Sequence, residues 1–408
     1  MRRSPRPSLF LCAALAACTP AASTGGDAAR DAAPDVAAQD LPDATDASDA
    51  TAELPPPVDS SPADVLPDAP PPDALAPDAP LDSPAPDAPA LDAPSPDVAP
   101  DAPAPDAPPV IDVPLLPAPP PLATPRAGLG AAVTPDGKVY AVGGATAGAR
   151  YANTVEVWDP VAGATSWVAR ANMPVGLWSP SVLAGDDGRV YVFGGLNGSG
   201  ASARSFVYDP PTNRWRELAA MPRGCYAMGS TRGADGRLYT FAGNVGVGVV
   251  SQARYYEPAA DTWTAVSSLP EGLEQAVAAT ASDGRLFVFG GYDNLQWYRT
   301  VSIFTPSTGR WAAGPSLPEG RAAGGAARAL DGMLHVVGGY QLPSATSRTH
   351  WALDPVARTW RTLAPLPANR GNFGMVTLRD GRILVIGGES TPGMRVATVF
   401  AYAPDVWR

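Results

Sequence analysis

Short apolar runs alternate with turn residues through the second two-thirds of the chain, and the pattern returns six times. Each unit holds an Asp-Gly pair, an apolar run that ends in a glycine pair, an x-Pro step and a Trp. Runs such as Val190-Tyr191-Val192-Phe193 are continuously apolar, as in strands that are covered on both faces. The units recur every 47 to 51 residues, with glycine pairs at Gly143-Gly144, Gly194-Gly195, Ala242-Gly243, Gly290-Gly291, Gly338-Gly339 and Gly387-Gly388.

A repeat of this length, made of short strands and turns, predicts an all-β fold: a six-bladed β-propeller with one blade per repeat. We letter the strands of a blade a to d from the axis outwards. Asp-Gly predicts the hairpin between strands a and b, because it supplies positive φ angles. The x-Pro step ends strand c, since proline cannot donate to a ladder. The Trp opens strand d and is expected to pack between neighbouring blades.

At these residues the chain resembles the kelch-repeat family, whose unit carries a Gly-Gly pair, a Tyr-Asp-Pro-like turn and a Trp at these relative positions. The resemblance covers about residues 110 to 408. It implies four-stranded blades around a central channel, and usually a binding function on one face.

The N-terminus indicates export and a membrane anchor. Arg2, Arg3 and Arg6 precede an apolar stretch at residues 9–17 that is too short to span a bilayer, which predicts a signal peptide at residues 1–17. The sequence Leu15-Ala16-Ala17-Cys18 resembles the bacterial lipobox, which implies cleavage before Cys18 and lipid on its thiol. The alternative is an ordinary signal peptide that contains a cysteine. The expected location is the bacterial cell envelope, on the periplasmic or cell-surface side.

Residues 18–109 are dominated by Pro, Ala and Asp, with no aromatic residue. Such a composition buries too little surface to offset its chain entropy and predicts a disordered stalk. The whole chain has a net charge of −11. The stalk holds most of the aspartates, so the propeller is weakly basic, and its charge is too dilute to indicate nucleic-acid binding.

The last repeat is incomplete, because the chain stops just after the Trp that should open strand d. We therefore expect residues about 110–122 to return as strand d of the sixth blade and to close the ring. The prolines in this stretch are acceptable on an outermost strand with a free edge. The alternative is a three-stranded last blade.

A ligand site is predicted where strand a begins, 17 residues before each glycine pair. Arg126, Arg321 and Arg370 stand there in blades one, five and six, which are neighbours when the ring closes. A cluster of guanidinium groups suits a carboxylate or phosphate. The alternative is that these arginines brace adjacent blades. Loops that follow the glycine pairs are expected at the same mouth, with Tyr292, Asp293, Tyr340, Gln341 and Glu389.

Catalytic groups are few. His335 is expected in a packed strand b and His350 in strand c or its approach, so neither predicts a copper or zinc site, and no cofactor is expected. Cys225 reads as a small buried thiol. The sequence favours a monomeric, lipid-anchored binding module for a protein or glycan ligand, possibly anionic. The alternative is an exported carbohydrate enzyme that resembles the kelch-type sialic acid mutarotases, with Glu274 or Glu389 as acid/base.

Overall fold

The computed structural model describes residues 119–341, 345–403 and 406–407. Within these ranges the chain forms β-strands and no helix, and six antiparallel four-stranded sheets make up the six blades. Accordingly, the described residues contain no helix that could cross a bilayer. The predicted signal peptide, Cys18 and the stalk lie outside the described residues, as do positions 110–118 of the predicted closing strand.

The strands follow the repeats, four to a blade, with an extra short hairpin between strands b and c in blades two, five and six. Blade one contains β1 (Gly130–Val133), β2 (Val139–Val142), β3 (Val155–Trp158) and β4 (Val168–Arg170). Blade two contains β5 (Ser181–Ala184), β6 (Val190–Phe193), β7 (Leu196–Asn197), β8 (Gly200–Ala201), β9 (Ser205–Asp209) and β10 (Arg214–Leu218). Blade three contains β11 (Gly229–Arg232), β12 (Leu238–Phe241), β13 (Ala253–Glu257) and β14 (Thr262–Val266).

Blade four contains β15 (Val277–Thr280), β16 (Leu286–Phe289), β17 (Val301–Thr305) and β18 (Arg310–Ala313). Blade five contains β19 (Gly325–Arg328), β20 (Leu334–Val337), β21 (Tyr340–Gln341), β22 (Ala345–Thr346), β23 (His350–Asp354) and β24 (Thr359–Thr362). Blade six contains β25 (Gly374–Thr377), β26 (Ile383–Ile386), β27 (Glu389–Thr391), β28 (Met394–Arg395), β29 (Val399–Ala403) and β30 (Val406–Trp407).

The six a strands stand side by side around one axis. β1 packs against β5 on one side and against β25 on the other, so the first and last blades are neighbours and the ring is closed. The b strands behind them are buried along their whole length. The six-bladed propeller expected from the repeats is confirmed.

The hairpins between strands a and b lie at the Asp-Gly pairs, as predicted, but only the glycine of each pair has a positive φ. In blade one only Gly137 of the pair has a positive φ, of 91°. Its N–H donates to the carbonyl of Thr134 (2.8 Å), and the N–H of Thr134 donates to that of Lys138 (3.0 Å). This is a type I turn followed by a left-handed glycine rather than a two-residue turn.

The glycine pairs tie neighbouring blades together. The N–H of Gly144, at φ 91°, donates to the carbonyl of Leu177 in the next blade (2.8 Å), and a Cβ on Gly144 would lie 2.7 Å from the carbonyl oxygen of Ala127. A side chain at Gly144 would therefore collide with the backbone, which explains the need for glycine at this place. The equivalent bonds run from Gly195 to Cys225, Gly243 to Leu273, Gly291 to Arg321, Gly339 to Arg370 and Gly388 to Arg126.

The tryptophans of strand d make a second set of bonds between blades, farther from the axis. The indole N–H of Trp215 donates to the carbonyl of Ala171 in blade one (2.8 Å), directly after β4 ends. Trp263, Trp311 and Trp360 repeat this contact with Ala219, Ser267 and Pro315. Packing of these residues between neighbouring blades, as predicted, is confirmed.

A third set of bonds, nearest the axis, was not predicted. Six residues, one per blade, have positive φ angles between 50° and 61°, and each N–H donates to the carbonyl of the equivalent residue in the preceding blade at 2.7–3.1 Å. The bonds form a closed circuit, which we call the backbone ring: Gly128, Ser179, Ala227, Gln275, Ala323 and Asn372. Strand a begins after this left-handed residue, at Gly130 or Gly374, and not at Arg126 or Arg370 as expected.

The described part of the N-terminal segment lies against blade six. The N–H of Leu122 donates to the carbonyl of Ala397 (2.9 Å), as that of Leu366 does to Arg348 in blade five (2.8 Å). The indole of Trp167 donates to the carbonyl of Pro120 (2.8 Å), which completes the pattern of the other tryptophans. β30 pairs with only two residues of β29, whereas β10 pairs with five of β9. Closure of the blade by residues 110–118 stays a prediction.

Three truncations test this closure. A chain that begins at Arg126 should melt several degrees below one that begins at Pro119, because it loses the buried Leu122 and the partner of the Trp167 indole. A chain that begins at Pro119 should in turn melt below one that begins at Asp106, since a shortened outer strand leaves backbone groups of β29 unpaired. Equal melting temperatures for the last two chains, measured by calorimetry, would show that residues 110–118 only continue the stalk.

Candidate functional site

The end of the channel that carries the b–c loops and the d–a connections, here called the mouth, is built from one pair of residues per blade. The first member directly precedes the backbone ring, and the second follows the glycine pair. The two residues of each pair form an antiparallel bridge. We call the twelve residues of these six pairs the mouth rim: Ala127 with Ala145, Trp178 with Leu196, Tyr226 with Asn244, Glu274 with Tyr292, Ala322 with Tyr340, and Gly371 with Glu389.

Arg126, one residue before the rim, turns its side chain into blade one. It is 0% exposed, forms an ion pair with Glu156 of β3, and donates to the carbonyls of Gly143 (3.2 Å) and Thr154 (3.1 Å). Burial lowers the pKa of Arg126, and the charge of Glu156 opposes that shift. The group stays a cation whose partners all belong to the propeller.

Arg321 and Arg370 occupy the same place in blades five and six. Their exposures are 2% and 1%, and their guanidinium groups lie over the rings of Trp351 (4.9 Å) and Phe400 (4.7 Å). Arg321 also donates to Gln341 Oε1 (2.7 Å) and to Glu319 (3.1 Å), and Arg370 donates to Thr398 Oγ1 (3.0 Å). Burial lowers the pKa of each arginine to about 10, so both remain charged at neutral pH.

The backbone of each of these arginines is hydrogen-bonded to a different blade from the one that holds its side chain. The carbonyls of Arg126, Arg321 and Arg370 accept hydrogen bonds from Gly388, Gly291 and Gly339 of the preceding blade. Each arginine therefore spans a blade interface, which supports the bracing alternative. Ligand binding by the three guanidinium groups stays a prediction.

Two carboxylates lie on the rim instead. Glu274, 7% exposed, accepts a hydrogen bond from Asn244 Nδ2 (2.7 Å) across the interface of blades three and four. Burial raises the pKa of Glu274. Glu389 accepts a hydrogen bond from the hydroxyl of Tyr340 across blades five and six, and burial, followed by the charge of Glu389, raises the pKa of Tyr340.

Aromatic rings flank these carboxylates. Trp178 and Tyr226 lie 6.0 Å apart between their ring centroids, and Trp297 contacts both Tyr292 (5.5 Å) and Tyr340 (6.3 Å). The rings thus line the rim from blade two to blade five. Trp297 was missed by sequence reasoning, although it follows the predicted loop residues Tyr292 and Asp293 closely.

The other two predicted loop residues shape the site from beside the rim. Asp293 accepts hydrogen bonds from the backbone N–H groups of Leu295 and Gln296 (2.8 Å each) and from the hydroxyl of Tyr298 (2.9 Å), so it fixes its own loop. Gln341 is engaged by Arg321. The structure therefore places Tyr292, Tyr340 and Glu389 on the rim and gives Asp293 and Gln341 supporting contacts.

Apolar side chains stand exposed on the b–c loops above the rim. Val247, Leu295 and Met394, from blades three, four and six, are 90%, 88% and 61% exposed. Apolar residues at loop tips around a concave opening are typical of a contact surface for another molecule.

The channel behind the backbone ring has a different charge. It holds a cavity of about 410 Å³ lined by the six a strands, and the charged residues in that lining are Arg232 and Arg328 at the hairpin end. Hydrogen-bonded backbones lie about 5 Å apart, so the ring is only about 10 Å across between Cα atoms. The backbone ring lies between the mouth rim and this cavity.

The remaining reactive side chains are buried in the blades. His335 lies in β20 and His350 in β23, which are strands b and c, as expected. Their Nδ1 and Nε2 atoms lie 2.7 Å apart, and burial lowers the pKa of His350 to about 3. Burial raises the pKa of Cys225 to about 11, which suits an inert thiol. Among the described residues, no three His, Cys, Asp or Glu side chains are grouped to hold a metal ion.

Comparison with known proteins agrees with the geometry of the blades. The family model described as the Kelch motif matches residues 126–174, 178–222 and 276–318, which are blades one, two and four. No curated protein matches the chain. A solved structure titled "Structure of YjhT" superposes with a TM-score of 0.62 at 18% identity, over 71% of this chain and 99% of that one. At this identity the likeness shows the fold.

Proposed function

Because this chain is a kelch-repeat β-propeller, we propose that it is a binding module of the bacterial cell envelope. In this proposal lipid on Cys18 holds the protein at a membrane, residues 18–109 form a flexible stalk, and the propeller presents its mouth to a protein or glycan ligand. The alternative, an exported protein without an anchor, does not explain the lipobox-like sequence at residues 15–18.

The mouth supports this proposal by its surface. Exposed apolar side chains at Val247, Leu295 and Met394 surround a rim of aromatic rings, and such a combination gains free energy when a partner covers it. The opposite end also exposes apolar side chains, at Val161, Leu330 and Val356, beside hairpins in which Asp and Arg side chains pair with one another. The aromatic rings of the rim distinguish the mouth, and the ligand is therefore assigned there.

The ligand contacts are assigned to the rim and its loops, not to the three arginines. Tyr292, Tyr340 and Glu389 lie on the rim, and Asp293 and Gln341 hold the loops beside it. An anionic ligand would need guanidinium groups that reach the mouth, whereas those of the arginines are buried against their own blades.

A carbohydrate enzyme is the second candidate, and one observation favours it. Burial raises the pKa of Glu274, which suits a general acid. The candidate comes second because a sugar carboxylate would need a cation opposite Glu274, and the guanidinium groups expected there are turned into the blades.

The stalk gives the proposed module its reach. At about 3.1 Å per residue, roughly 90 residues would span about 280 Å if fully extended, which far exceeds a bilayer. Its aspartates repel one another, so the chain favours extended shapes and is repelled by anionic surfaces.

The anchor is tested by replacing Cys18. Cys18→Ser should move the protein from the membrane fraction to the soluble fraction, because serine cannot form the thioether to the lipid. Cys225→Ala, which changes a buried thiol of the propeller, should stay in the membrane fraction. A membrane-bound Cys18→Ser variant would refute the anchor.

The binding face is tested by photo-crosslinking in living cells. A photoreactive residue at Leu295, 88% exposed at the mouth, should crosslink a defined envelope component, whereas the same residue at Val356, 79% exposed at the hairpin end, should not. The two sites differ in face and hardly in exposure, so the comparison isolates the mouth. Equal products from both sites, or none from Leu295, would contradict the proposal.

A further inference from the structure

The mouth rim carries negative charge and no positive charge. Its twelve residues include Glu274 and Glu389, four aromatic residues, and no Lys or Arg. The three arginines that precede the rim point into the blades and are neutralised or stacked there. A ligand that enters the rim therefore meets carboxylates and ring faces.

Glu274 is a buried carboxylate that no cation compensates within the described part of the chain. Its hydrogen-bond partner is the neutral amide of Asn244, and no Lys or Arg of the described residues lies within ion-pair distance of it. Burying a carboxylate without a cation costs several kcal/mol. A cation brought by a partner would recover part of that free energy. Glu389 likewise accepts from a neutral donor, the hydroxyl of Tyr340, but its bridge partner is Gly371, whereas that of Glu274 is an aromatic residue, Tyr292.

The rings on either side of Glu274 favour the same charge. Tyr226 lies one blade before it, with Trp178 beyond, and Tyr292 is its bridge partner, with Trp297 beyond. The faces of Tyr and Trp rings carry partial negative charge and attract ammonium and guanidinium groups. A carboxylate between such rings is an arrangement that selects a cation over an anion or a neutral group.

We propose that the mouth rim binds a basic side chain, Lys or Arg, on an exposed segment of a protein partner, with Glu274 as its counter-ion and Tyr226 and Tyr292 as its flanking rings. This inference rests on the proposed binding function and narrows the ligand to a protein. The exposed apolar tips at Val247, Leu295 and Met394 suit the residues that flank a basic side chain in a peptide. A neutral or acidic glycan offers no cation to Glu274.

The inference is tested on the full-length protein with three capped pentapeptides, Gly-Ser-Xaa-Ser-Gly, in which Xaa is Arg, Gln or Glu. Titration calorimetry should detect binding of the Arg peptide, weaker binding of the Gln peptide and none of the Glu peptide. Affinity for the Arg peptide should fall as salt is added, because part of the attraction is Coulombic. Tighter binding of the Glu peptide would overturn the inference.

Substitution of the carboxylate separates charge from shape. Glu274→Gln keeps an oxygen that accepts from Asn244 but removes the charge, and it should weaken the Arg peptide at least about tenfold, the effect of losing one charge-assisted contact. Glu217→Gln, which removes a carboxylate that pairs with Arg204 on an outer strand, should leave the affinity unchanged. An unchanged affinity in Glu274→Gln would refute the role of Glu274.

Two further readouts guard against a variant that fails to fold. Tyr292→Leu leaves the carboxylate in place and should also weaken the Arg peptide, whereas equal binding would exclude the ring from the site. Burial raises the pKa of Glu274. As the pH is lowered, the unmodified protein should therefore lose affinity for the Arg peptide at a pH above the pKa of an ordinary glutamate. Binding that persists after an ordinary glutamate is protonated would contradict the assignment.

The outcomes distinguish this inference from the proposed function. Crosslinks from Leu295 together with no preference for the Arg peptide would overturn the cation site and leave the binding face intact. Selective binding of the Arg peptide without crosslinks from Leu295 would support the cation site and count against the envelope binding module.

Discussion

The backbone ring is the constraint on which the rest of the mouth depends. Six N–H groups and six carbonyls close a circuit around the axis, and five of the six residues hold a left-handed φ without being glycine. Such a conformation costs roughly 1–2 kcal/mol per residue. The circuit persists because each bond joins two blades, and the glycine and tryptophan bonds farther out hold the same blades in register.

The ring also decides which side chains face a ligand. Because the backbone turns left-handed at Asn372, Gly371 lies on the rim and the side chain of Arg370 enters blade six. The same turn at Gln275 brings Glu274 to the rim. One conformational requirement, repeated six times, therefore gives the mouth carboxylates and rings and removes the guanidinium groups from it.

Sequence reasoning located the blades, the hairpins and the tryptophans, because each depends on residue types with a strong local preference. It could not locate the backbone ring, since Ser179 and Ala227 carry no local preference for positive φ. It placed three arginines at the mouth by spacing alone, which gives a position along the chain but not a direction. A partial signal was available: the three blades with an arginine carry Glu156, Trp351 and Phe400 at the same position of strand c, opposite the third residue of strand b, although blade two carries Phe206 there without an arginine.

The central claim is that the arginines hold blades together and leave ligand recognition to the rim. The free energy of unfolding of Arg126→Ala tests it most directly, because the substitution leaves Glu156 buried without a cation. We expect a loss of about 3–5 kcal/mol, and a much smaller loss when Arg126→Met is combined with Glu156→Leu, since replacing both charges by apolar groups removes the penalty. An equal free energy of unfolding for Arg126→Ala and for the unmodified protein would contradict the account, and Arg126 would again be a candidate ligand contact.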